Sequence, residues 1–78
     1  MSIKNENLAK AYAESELLIE LRRMALIERG RAYLYDVESD LHERNSNSMN
    51  SAIIAALEHK EKADMLDRIC EAIMAGEF

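Results

Sequence analysis

The sequence predicts an all-α protein, a long antiparallel helical hairpin. One helix covers about residues 5–44 and a second about 49–75, in a single domain over 1–78. Three observations predict it. The chain has two glycines and no proline, and is rich in Ala, Leu, Glu, Lys, Arg and Met, all good helix formers. Two long segments carry apolar residues at helical spacings. One polar cluster, Asn45-Ser46-Asn47-Ser48, separates them.

The first helix starts from Ser2 or Asn5 and continues to about Arg44. Its face of Leu8, Tyr12, Ile19, Leu26, Tyr33 and Val37 recurs every four or seven residues, flanked by Ile27, Leu34 and Leu41. The centre of this helix, Leu17 to Ile27, is apolar on nearly every side. At about 100° per residue, Leu17, Leu21 and Met24 share one side, and Ile19 and Leu26 lie roughly opposite. A helix apolar all round must be covered on more than one side. Gly30 is the open point, a bend or a break. A glycine inside a helix costs about 1 kcal/mol relative to Ala, yet no Pro, Asn or Ser accompanies it in IERGRAYLYD. A continuous or gently bent helix is favoured. Without a side chain, Gly30 also admits close approach of another helix.

Ser46, Asn47 or Ser48 is suited to capping the second helix, its side-chain oxygen accepting from an orphan N–H. Met49, Ile53, Ala56, Ala63, Leu66, Cys70 and Ile73 then mark an amphipathic helix. Gly76 stands where a left-handed residue ends it.

A turn at 45–48 places residue 44 near 49 and residue 18 near 75. Residues 5–17 then project beyond the second helix by about 20 Å. A symmetric dimer covers this overhang and the far side of the first helix. The expected assembly is a homodimer resembling a four-helix bundle, with Leu8, Tyr12, Leu18, Ile19, Leu26, Gly30 and Tyr33 at its interface. A true break at Gly30 predicts a compact three-helix bundle instead.

A chain this short builds only a marginal core. Its single cysteine, Cys70, excludes an internal disulfide framework and reads as a buried helix residue. The opening MSIKNENLAK lacks the apolar run of a signal peptide, and no stretch approaches membrane-span length. A cytoplasmic location is expected. The net charge of −5 divides into +1 over residues 1–35 and −6 over 36–78. That balance disfavours direct nucleic-acid binding and suits a basic protein surface.

Catalytic and cofactor chemistry is weakly signalled, and no cofactor, metal or catalytic residue is expected. Glu38 and His42 form an i, i+4 pair, and Glu58, Glu61 and Asp64 add carboxylates from the second helix. Neither histidine has a glutamate three residues before it, as a di-iron bundle requires. Glu58, Glu61, Asp64 and Asp67 superficially suggest a magnesium-dependent nucleotide pyrophosphatase, but no second matching motif follows. No serine stands in a nucleophile elbow, and no glycine-rich phosphate loop occurs. Arg22, Arg23, Arg29 and Arg31 are read as partners of nearby acids, their stems covering apolar surface.

The expected role is therefore non-enzymatic: a small acidic protein that binds another protein as a regulator, adaptor or inhibitor, by occlusion or bridging. Candidate partner-binding residues are Asp36, Asp40, Glu43, Glu61, Asp64 and Glu71, with Tyr35 as the most exposed tyrosine. One alternative is a nucleic-acid mimic that blocks a DNA- or RNA-binding enzyme. The other is a metal-binding or metal-dependent helical bundle. In size and composition the chain resembles small acidic helical accessory proteins of phages and mobile elements, inhibitors of host defence among them. That resemblance implies the same class of role.

Overall fold

Two helices, α1 (Ile3–Leu41) and α2 (Asn47–Met74), run antiparallel in the computed structural model. The structure describes the backbone of residues 3–76 and the side chains of 10, 11 and 13–76. The hairpin measures 64 × 17 × 13 Å, and its long axis is that of α1. Gly30 lies inside α1 without interrupting it. The break that would have made a compact three-helix bundle is absent from the described residues. Good helix formers on both sides outweigh the cost of one glycine.

α1 ends at Leu41, short of the expected Arg44. The His42 N–H turns back to the Ser39 carbonyl, and Asn45 adopts φ 62°. Asparagine tolerates this left-handed conformation better than most residues, and it reverses the chain. Ser46 is extended at φ −75°, ψ 159°, and its Oγ accepts from the Met49 N–H at 3.1 Å. It is the N-cap of α2. Ser46→Ala is expected to cost about 1 kcal/mol, seen as a lower midpoint in urea with an unchanged slope. At the other end, the Gly76 N–H donates to the Ile73 carbonyl with Gly76 at φ +72°, the expected left-handed stop.

The helices meet along positions spaced alternately by three and four. In α1 these include Leu18, Leu21, Ala25, Glu28 and Ala32; in α2, Ala52, Ala56, His59, Ala63, Leu66, Cys70 and Ile73. That alternation is the seam of two helices crossing at a shallow angle. Among the described residues, the buried ones are Ala25, Ala32, Ala52, Ala56, Ala63, Cys70 and Ile73. Five of these seven are alanine, so the backbones approach closely and the core stays thin. Cys70 is buried as expected. Ile53, assigned from its spacing to the inner face of α2, is instead exposed, and Ala52 occupies the seam. Ala52 lies beside Tyr35, Glu38 and His42 of α1, where a small side chain takes the inner position.

Candidate functional site

The helix register follows from the ion pairs across the seam. Arg29 Nη2 lies 3.1 Å from Asp64 Oδ1 and also bonds Asp67. These acids, Asp67 first, raise the guanidinium's pKa. Residue 29 beside residue 64 is the register that places 18 near 75. Arg31 bonds Glu28 at 2.7 Å, and Arg23 lies 3.6 Å from Glu20. Three of the four arginines of α1 thus meet acids, as their sequence positions suggest. Arg22 instead approaches the Met74 sulfur at 3.1 Å.

One polar layer interrupts the apolar seam, and the sequence reading missed it. His59 Nδ1 donates to Glu28 Oε2 at 2.5 Å, both side chains being partly buried. The Tyr35 ring stacks on His59, centroids 5.4 Å apart and planes within 6°. The signal was present: His59 falls on the three–four alternation that runs from Ala52 to Ile73. Tyr35 is therefore at the seam's edge at 36% exposure, whereas Tyr33 is open at 68%. This reverses the expectation that Tyr35 is the most exposed tyrosine. Its position seven residues after Glu28 draws it toward α2.

The His59 hydrogen bond is the main cause that lowers the Glu28 pKa, with Arg31 helping against partial burial. A carboxylate with a lowered folded-state pKa contributes stability above its unfolded pKa and loses it as pH falls through the folded value. A thermal melt is thus expected to weaken on acidification below the usual carboxylate range. In Glu28→Gln this part of the acid loss should vanish. An identical acid limb in both proteins would remove Glu28 from the account.

The outward side of α1 is the largest unexplained feature. Ile19, Leu26 and Tyr33 are 60%, 71% and 68% exposed, and Ile27, Leu34, Val37 and Leu41 accompany them. Gly30 lies among them, and a Cβ built there meets nothing within 4 Å. Leu18, expected at the same interface, is half-buried on the hairpin's own seam, seven residues before Ala25. The interface expectations for Leu8 and Tyr12 fall outside the residues whose side chains are described.

The acidic candidates do not form one surface. Asp64 is taken up by Arg29, while Asp36 and Asp40 flank the apolar side of α1. Glu43 sits in the turn, and Glu61 and Glu71 are exposed on α2. Glu38 and His42 approach to 4.0 Å. Among the described residues, no three His, Cys, Asp or Glu side chains are grouped to hold a metal ion. A groove of about 390 Å³ beside the seam is lined by Met24, Ile27, Glu28, Arg31, Lys62, Met65 and Leu66. No described helix is long and apolar enough to cross a membrane. Compared with protein-family models, curated proteins and solved structures, the chain finds no match.

Proposed function

We propose that this chain works by binding rather than by catalysis, as a homodimer that regulates, bridges or inhibits another protein. The observation that carries the reading is the outward face of α1, where Ile19, Leu26, Tyr33 and Leu34 are each at least 60% exposed. A contiguous apolar patch of this kind marks an interaction site. The alanine seam supports the same reading, because so thin a core gains from a second source of burial. Two copies joined through α1 leave the outer side of α2 free. Glu61 and Glu71 are exposed there and suit a partner with a basic surface.

The test is the mass in solution by light scattering at tens of micromolar. A homodimer gives twice the chain mass of 8.9 kDa; a monomer overturns the assembly. For partner recognition, a protein captured by the wild type should be lost in the Glu61→Lys/Glu71→Lys double variant. It should also weaken with salt. Equal capture by both forms would remove the acids of α2 from recognition.

A further inference from the structure

We infer that the occupant of the outward face of α1 is α1 of a second copy, antiparallel to the first and crossing it at Gly30. The inference rests on the homodimer reading above and adds its geometry.

The apolar face is symmetric about Gly30. Three residues before and after it stand Ile27 and Tyr33; four before and after, Leu26 and Leu34; eleven before and after, Ile19 and Leu41. An antiparallel pair related by a twofold axis through Gly30 brings each of these residues level with its counterpart from the other copy. Apolar then meets apolar at every one of these levels. A parallel pair would gain nothing from this symmetry. Seven residues away, Arg23 comes level with Val37; its stem covers the valine while its guanidinium stays with Glu20.

The charges beside the face agree. Around α1, Arg22, Asp36 and Asp40 lie on one flank, next to the column of Ile19, Leu26 and Tyr33. Arg22 has no carboxylate partner among the described residues, and neither Asp36 nor Asp40 has a cation. In the twofold antiparallel pair this flank falls on the same side of both copies. Arg22 of one copy then comes within a turn of Asp36 and Asp40 of the other. These acids thereby belong to self-recognition.

Gly30 completes the argument. In the single hairpin nothing occupies the space of a Cβ there, so the fold of one chain does not require a glycine. The residue lowers helix propensity without any return inside the chain. At a crossing point, however, a missing side chain lets two backbones approach.

Spin labels in a Cys70→Ser background test the geometry. A label at Glu20→Cys should report its copy at about 30 Å and one at Glu38→Cys at about 24 Å, from 1.5 Å of rise per residue on each side of Gly30. A parallel dimer would give both separations near the helix spacing of roughly 10 Å, and that result overturns the antiparallel crossing while leaving the homodimer standing. Absence of any dipolar coupling, with a monomeric mass, overturns both. As a second readout, Gly30→Ala should raise the melting temperature of dilute, monomeric protein. The same change should weaken dimerisation roughly tenfold or more. Dimerisation unchanged or tightened in Gly30→Ala would remove the glycine from the crossing.

Discussion

Ala63→Leu is expected to unfold much of the hairpin. Ala63 is 0% exposed and sits mid-seam on α2, next to Asp64, which Arg29 holds. Leucine adds three carbons where the opposing backbone already fills the space. Overpacking of this kind costs about 1–3 kcal/mol. A larger domain spreads such strain over several layers, but here, among the described residues, seven mostly small ones make up the buried set. Forcing the helices apart also pulls Arg29 from Asp64 and Glu28 from His59. The melting temperature, followed by helical circular dichroism at fixed protein concentration, should fall by about 5–20 °C. Ala63→Gly is the control: it weakens the helix by about 1 kcal/mol without prying the seam open. A leucine variant melting at or above the glycine variant would show that the seam is looser than described.

Leu26→Glu is expected to abolish dimerisation while leaving the hairpin intact. Leu26 is 71% exposed in the single chain, so a polar residue there is close to neutral for folding of one copy. Across a dimer interface the same carboxylate is buried twice without a partner. An uncompensated buried charge costs about 3–5 kcal/mol, a loss of more than roughly a hundredfold in affinity. Light scattering should show the mass fall to 8.9 kDa. Ile19→Glu should behave alike. A substitution on the outer side of α2, Glu61→Lys, should leave the mass unchanged. An intact dimer in both apolar-to-acid variants would move the interface away from α1.

Much of the fold was legible because it depends on local residue types and on chain length. The polar cluster at 45–48 supplied both the turn and the Ser46 cap, since a hydroxyl accepting from an orphan N–H acts over three residues. Gly76 ends α2 through its own backbone freedom. The register followed from counting outward from the turn, and Arg29 beside Asp64 agrees with it. The exposed positions Ile19, Leu26, Gly30 and Tyr33 were also readable, as the face of α1 that one short partner helix leaves over.

What the sequence determined by itself was the helical class, the cap and stop of α2 and the antiparallel register. Each is set by local capping, propensity and connection length. It left open whether Gly30 breaks α1 and carried α1 past its end at Leu41. Only the tertiary structure decided which faces turn inward. α1 is apolar nearly all round, so periodicity did not choose among its sides. Packing chose, because small residues line the seam, Ala25 and Ala32 on α1 and Ala52, Ala56 and Ala63 on α2, and let the helices approach more closely than large side chains permit. That choice draws Leu18, Tyr35 and His59 toward the seam, exposes Ile53, and leaves the large residues of α1 outside. The layer of Glu28, His59 and Tyr35 was hidden for the same reason. His59 is 31 residues from Glu28 and lies on the other helix from both Glu28 and Tyr35, so only the docking of α2 on α1 brings the three together.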